Sequence, residues 1–204
     1  MKERKIIKCQ VLAALVFFTT AMIASAQTSG NIARWVVQKN STLEVAGKSN
    51  VNSFTCTISQ YDYKDTIAFF GEPNKPVRLN GDLSMDILNF DCQSNLINKD
   101  MQKTLKADVY PQLKIRFLSL QSMPLLQQKS EVVKGVLEVE LAGVIKRIEM
   151  TYTITRAGNN FIQMSGNRNF TFSDFKLSPP QKFAGLIKIK DDFNVNFQLV
   201  LRAV

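Results

Sequence analysis

The chain has no histidine among its 204 residues. That absence removes histidine general bases, Ser-His-Asp triads and histidine metal ligands together. Carboxylate and lysine chemistry stay open, but a hydrolase becomes a poor expectation. A dense basic block is also missing: Lys188 and Lys190 run straight into Asp191 and Asp192. Nucleic-acid binding needs a clustered basic patch, so that class falls away. Cysteine is scarce, with three residues and no C-x-x-C spacing, which argues against a redox-active pair. No repeat with a period of about 20–50 residues is visible, and no stretch has the composition of an interdomain linker.

The long apolar run is N-terminal. Lys2, Arg4, Lys5 and Lys8 precede it, Val11 to Ala24 is apolar apart from Thr19 and Thr20, and Ala24-Ser25-Ala26 follows. This is the pattern of a secretory signal peptide over residues 1–26, and the run is too short to span a bilayer comfortably. The expected product begins at Gln27 and is exported, to the periplasm or beyond. Of the 26 basic and 17 acidic residues, the signal carries four and one, leaving 22 and 16, a net charge of +6. A chain of this mass buries roughly 70% of its unfolded surface, so residues 27–204 are expected to form one domain.

Cys9 lies inside the signal and ahead of its apolar run, the wrong place for a lipoprotein cysteine. Cys56 and Cys92 remain. An even pair in an oxidising compartment points to a disulfide, which closes a loop of about 37 residues and contributes about 3.8 kcal/mol in the chain-entropy model. The alternative is two small buried hydrophobes that never pair.

Elsewhere the apolar residues recur with period two, the mark of half-buried antiparallel strands. Trp35 to Val37 opens the series, and Leu43 and Val45 share one face of Ser41 to Ala46. Phe54, Cys56 and Ile58 alternate with Thr55 and Thr57. Leu79, Gly81, Leu83, Met85 and Ile87 alternate with Asp82, Ser84 and Asp86, and the phase slips at Leu88. Ile115 and Phe117 mark a short strand; Val133 to Leu141, Ile148 to Thr155 and Phe193 to Arg202 mark three long ones. One segment differs. Asn98 to Ala107 lacks Gly and Pro, places Met101 and Leu105 at i,i+4, and stops before Tyr110-Pro111, so a single short helix with Asn98 as N-cap is expected. About eight strands and one helix define an all-β fold, either a sandwich or an antiparallel barrel.

A family resemblance narrows that choice. Ser41-Thr42-Leu43 followed by Gly47-Lys48-Ser49-Asn50-Val51-Asn52-Ser53-Phe54 looks like an opening strand pair. Met101, Leu105-Lys106-Ala107 and Tyr110 to Phe117 look like a helix and the strand after it. Gly135-Val136-Leu137 through Leu141-Ala142-Gly143-Val144 with Lys146 looks like a central hairpin. Phe172-Ser173-Asp174-Phe175, Pro179-Pro180, Gly185-Leu186-Ile187-Lys188 and Asp191 lead into the last strand. In this order and spacing the stretches resemble the YceI-like family, exported lipocalin-like barrels that bind polyisoprenoid or other long-chain lipids. The chain departs from the family in lacking the histidine that many relatives carry in the opening strands, and in a longer Tyr61 to Phe70 segment.

The resemblance implies an eight-stranded lipocalin-like barrel with its helix at one end and a ligand threaded through an apolar lumen. It implies a non-enzymatic carrier or buffer of a polyisoprenoid, an isoprenoid quinone or a fatty-acid-like lipid, with no cofactor, no metal and no nucleic-acid partner. The alternation independently marks an inward face: Phe54, Leu83, Met85, Ile87, Ile115, Phe117, Leu137, Val139, Met150, Tyr152, Phe197 and Leu199 are the expected lumen residues. For each, plain core packing is the competing role. Phe69 and Phe70, between Asp65 and Gly71, read either as a lid or lip touching a membrane at the barrel mouth, or as a further strand or core plug. Arg78, Lys106, Arg168 and Lys182 are the cations available to read a lipid headgroup. Asp82, Asp86, Glu138 and Glu140 form i,i+2 carboxylate pairs, but on the outer face, where solvated side chains are the expectation and acid/base catalysis is not. The rival to a carrier is a stress or surface interaction protein with a packed, ligand-free barrel. Nothing in the sequence speaks for or against a homodimer.

Overall fold

The computed structural model describes residues 32–72, 75–124, 130–182 and 186–204. The expected signal peptide lies outside the described residues. The strands are β1 (Ile32–Val37), β2 (Thr42–Ser49), β3 (Ser53–Ile58), β4 (Thr66–Phe70), β5 (Val77–Asp86), β6 (Gln112–Leu120), β7 (Ser130–Leu141), β8 (Val144–Arg156), β9 (Phe161–Thr171), β10 (Gln181–Lys182) and β11 (Ile187–Ala203). One α-helix, α1 (Asn95–Thr104), sits between β5 and β6.

All the pairings are antiparallel. Strands β4 to β9 follow one another in the order β4-β5-β6-β7-β8-β9, β11 pairs β9, and β1 joins β11 to β4. That ring of eight strands closes the barrel, so the fold is the lipocalin-like barrel and not a sandwich. Strand β11 is long enough to serve two partners. Its C-terminal end pairs β1 (Val37↔Leu201), and its earlier residues pair β2 (Phe197↔Leu43 through Ile189↔Ser49). β1 and β2 are therefore two pieces of one broken edge, and β3 continues beyond β2 as a hairpin.

Period-two side chains fill the inside. On β5, Val77, Leu79, Gly81, Leu83 and Met85 are buried; on β8, Ile148, Met150, Tyr152 and Ile154 are. Each fully buried aliphatic or aromatic side chain contributes about 1.5–3 kcal/mol by leaving water. Two glycines are required by geometry. A Cβ on Gly135 would lie 2.4 Å from the Ser119 carbonyl, beside the register shift between Phe117 and Ser119. At the β7–β8 turn, Ala142 (φ 50°) and Gly143 (φ 77°) both take left-handed backbone, as a two-residue hairpin of the primed type demands.

The wall is incomplete between β3 and the second half of β5, because β4 pairs only the first half of β5 (Phe70↔Arg78 to Ala68↔Asn80). Three devices patch it. The Tyr61 hydroxyl accepts the Ser84 N–H at 3.3 Å and donates to Asp65. Thr57 and Asp91 exchange backbone hydrogen bonds at 2.9 and 3.0 Å. Cys56 on β3 is disulfide-bonded to Cys92, so the even pair does bridge.

Two elements differ from expectation. The helix begins three residues earlier than Asn98, with Ser94 at the N-cap position. The Asn98 carboxamide oxygen instead accepts the Cys92 N–H at 2.7 Å, fixing the disulfide segment to the first turn. The Phe69–Phe70 segment is not a lip: it is β4, paired on both sides, with Phe69 1% exposed and edge-on to Trp35 at 6.5 Å. The Tyr61–Asp65 stretch before it masks the alternation of Ile67 and Phe69. The phase slip at Leu88 falls in the 3₁₀ turn Ile87–Asn89.

Candidate functional site

The barrel interior has two halves. In the half bounded by the β4–β5, β6–β7 and β8–β9 connections, Ile67, Phe69, Val77, Leu120, Ile154, Met164 and Leu201 are all at most 1% exposed and pack as solid core. The other half is hollow. A cavity of about 400 Å³ runs from a floor at Phe117, Met150, Phe197 and Leu199 toward the end carrying α1 and the β2–β3, β7–β8 and β9–β11 connections. Its size falls within the range of ligand pockets, about 300–1,000 Å³.

The strands supply its wall. Phe54, Leu83, Met85, Ile115, Phe117, Leu137, Val139, Met150, Phe197 and Leu199 all line it. The structure thus brings ten of the twelve expected lumen residues to one surface. Ile87 and Tyr152 are elsewhere: both are 0% exposed and neither lines the cavity. Ile87 has left the strand for the 3₁₀ turn, and Tyr152 lies in core against the rings of Phe117 and Phe197, at 6.4 and 6.0 Å.

The helix supplies the cover. Ile97, Met101 and Leu105 line the cavity from α1 and its C-cap. The helix has no fully buried residue, so its apolar stripe rests on the space rather than in packed core. The mouth adds Phe170, Phe172, Phe175 and Phe193, whose rings stack within 5.0–5.9 Å of one another. These four are absent from the expected lumen set, as are Leu43 and Val45, although the last two share an alternating face.

Few polar groups face the cavity: Ser49, Asn52, Ser94, Asp100, Thr104 and Arg168. Ser49 is occupied in the tight β2–β3 turn, donating to Asn52 and accepting the Val51 and Asn52 N–H groups. Of the four cations considered for a headgroup, Arg168 is at the cavity wall. The Arg78 guanidinium lies 5.0 Å over the Phe70 ring, at the packed end. Lys106 is exposed past α1, and the Lys182 side chain lies outside the described residues.

The acidic pairs are on the outer face. Asp82 holds Arg116 at 2.8 Å and raises its pKa, Glu138 approaches the same guanidinium at 3.9 Å, and Glu140 holds Lys114 at 3.5 Å. Asp86 accepts from the Tyr63 hydroxyl at 2.9 Å and from Gln112 at 3.1 Å. Each carboxylate is engaged as a surface ion pair or hydrogen-bond acceptor. Among the described residues no group of three or more acidic or cysteine side chains converges as a metal site.

Tyr152 carries the one oddity. Its hydroxyl is buried with no hydrogen-bond partner among the described residues, and burial pushes its pKa up. An unsatisfied buried hydroxyl costs about 1–3 kcal/mol. Tyr152→Phe is therefore expected to stabilise the protein by about that amount in a denaturant melt. A loss of stability would mean that the hydroxyl has a bound partner, water or ligand.

A closed antiparallel barrel with one packed half and one hollow, apolar half is the lipocalin-like barrel architecture. No family model matches the chain, and no curated protein matches it in sequence. Solved structures do match. A polyisoprenoid-binding domain from Saccharophagus degradans, implicated in plant cell wall breakdown, is 14% identical with a TM-score of 0.60, over 85% of this chain and 100% of that one. BcnA from Burkholderia cenocepacia is 15% identical with a TM-score of 0.57, over 78% and 95%. The YCEI protein of Campylobacter jejuni is 19% identical with a TM-score of 0.51, over 75% and 82%. This chain has their fold, the barrel that the family resemblance implies.

Proposed function

We propose that the protein is an exported carrier or buffer that holds one long apolar chain in the barrel lumen. The observation that carries this reading is the cavity of about 400 Å³, walled by strands, covered by α1 and lined almost wholly by apolar side chains. A packed barrel would favour the rival interaction protein; a hollow one favours a cargo. A neighbour of the same fold described as a polyisoprenoid-binding domain adds support. The engaged outer-face carboxylates support a non-enzymatic role. Export of residues 27–204 as a single domain, to the periplasm, goes with the disulfide and the signal-like N-terminus.

The energetics favour a shuttle over a tight store. Burying a methylene is worth about 0.8 kcal/mol, but the membrane from which the ligand comes offers the same burial. The net preference for the barrel is then set by shape and by headgroup contacts. Delipidated protein mixed with vesicles of bacterial membrane lipid, re-isolated and weighed by native mass spectrometry, is expected to gain the mass of one single-chain lipid. A clean apo mass after this exposure would end the carrier reading in favour of the interaction protein.

A further inference from the structure

Strand β9 breaks the rule that every inward position is apolar. Its inner face reads Ile162, Met164, Gly166, Arg168, Phe170. The β8–β9 ladder ends at Tyr152↔Gly166, while β9 stays paired with β11 as far as Thr171↔Asp192. The two strands therefore part on the mouth side of Gly166, beside the cavity. Arg168 stands where they part. One guanidinium nitrogen donates to the Glu149 carbonyl on β8, and the group lies 6.0 Å from the centre of the Phe170 ring. It makes no ion pair with any described residue, although other surface cations do, such as Arg116, Lys114 and Lys146.

We infer that Arg168 is a headgroup site for a single-chain anionic amphiphile, a carboxylate or phosphate monoester whose tail fills the cavity. This rests on the carrier reading and deepens it. A guanidinium offers five N–H donors in a fork that fits a carboxylate or phosphate, and one hydrogen bond to a carbonyl leaves most of the fork available. The site is exposed enough that the charge keeps much of its hydration, so holding it beside an apolar lumen costs little. Size sets the tail. An apolar cavity of about 150 Å³ accommodates benzene, about 25 Å³ per carbon. At that filling, 400 Å³ takes about sixteen carbons. A fatty-acid-length chain fits whole; a polyprenol of many isoprene units has to leave most of its tail outside.

The test is competition for a lumen-bound fluorescent dye by palmitate, hexadecyl phosphate and hexadecanol, at a pH where both acids are ionised. Palmitate or hexadecyl phosphate is expected to bind about ten-fold tighter than the alcohol, the size of one charge-assisted hydrogen bond, and the better anion names the headgroup. Arg168→Gln keeps a donor for the Glu149 carbonyl but removes the charge, and is expected to bring all three ligands to the affinity of hexadecanol. Arg168→Lys should restore part of the preference. A merely structural arginine would shift the alcohol and the acids alike. An unchanged acid-to-alcohol ratio in Arg168→Gln overturns the assignment while leaving the carrier reading intact. Failure of hexadecanol and dye to bind at all overturns the carrier reading itself, and this one with it. An octaprenyl alcohol that outcompetes all three would overturn the short-tail anion.

Discussion

Replacing both Cys56 and Cys92 with Ala is expected to lower the melting temperature by roughly 10 °C. The bridge spans a sequence separation of 36 residues, and in the chain-entropy model a loop of that size is worth about 3.8 kcal/mol. A domain of this size loses about 2–4 °C per kcal/mol. Alanine is the right replacement, because serine would bury a hydroxyl at sites 0% and 5% exposed.

The position of the bridge adds a second consequence. Cys92 lies three residues before α1, and Cys56 lies on the strand that borders the gap in the wall. The bridge therefore holds the cover of the cavity as well as shortening the unfolded chain. The double variant should lose ligand retention at temperatures where its β-sheet circular dichroism is still intact. The check is parallel thermal scans of oxidised wild type, reduced wild type and the double variant. Coincident melting of all three would mean that the bridge contributes nothing to the fold.

How much of this was legible in the sequence depends on which face carried the signal. Strands β5, β7, β8 and β11 announce themselves because each alternates apolar and polar residues over much of its length. Their inward residues are therefore identified correctly, and with them most of the cavity wall. β4 stays an open alternative to a lid because only five residues carry it, and the polar Tyr61–Asp65 run precedes them. β9 is missed for a more informative reason. Its inner face passes from Met164 to Gly166 and Arg168, so the alternation stops where the cavity begins. Gly166 is small because the Phe197 ring and the Met150 methyl occupy its side of the lumen, 2.6 and 2.8 Å from where a Cβ would stand.

The expectation of about eight strands agrees with the ring, yet by different membership. The expected strands include β2 and β3, which lie off the ring as a hairpin on β11, leave out β9, and hold β4 only as one of two alternatives. Strand pairing across 150 residues is not written in local periodicity. The split of the interior is equally invisible. Leu137 and Val133 stand on the same face of the same strand with similar burial, yet only Leu137 faces the cavity. What separates them is volume contributed from other strands: Tyr152, Met164 and Phe69 are buried in the filled half, while the side chains of the other half line a cavity.

That contrast supplies the strongest test of where the cargo lies. Val133 and Val139 are six residues apart on β7 and so point the same way. Val133 is 5% exposed in solid core; Val139 is half-buried and lines the cavity. Val139→Trp puts a large ring into empty space. It is expected to weaken ligand uptake by two orders of magnitude or more, with stability unchanged or raised by the added apolar contacts, since a filled void recovers dispersion energy that an empty one forfeits. Val133→Trp forces the same ring into packed core and is expected to cost about 1–3 kcal/mol or more, while the protein that remains folded still takes up ligand. Denaturant melts and vesicle uptake measured on both variants read the four quantities. Uptake at the wild-type level by Val139→Trp would place the ligand outside the lumen, because a tryptophan at that position and a sixteen-carbon chain cannot share about 400 Å³ without one displacing the other.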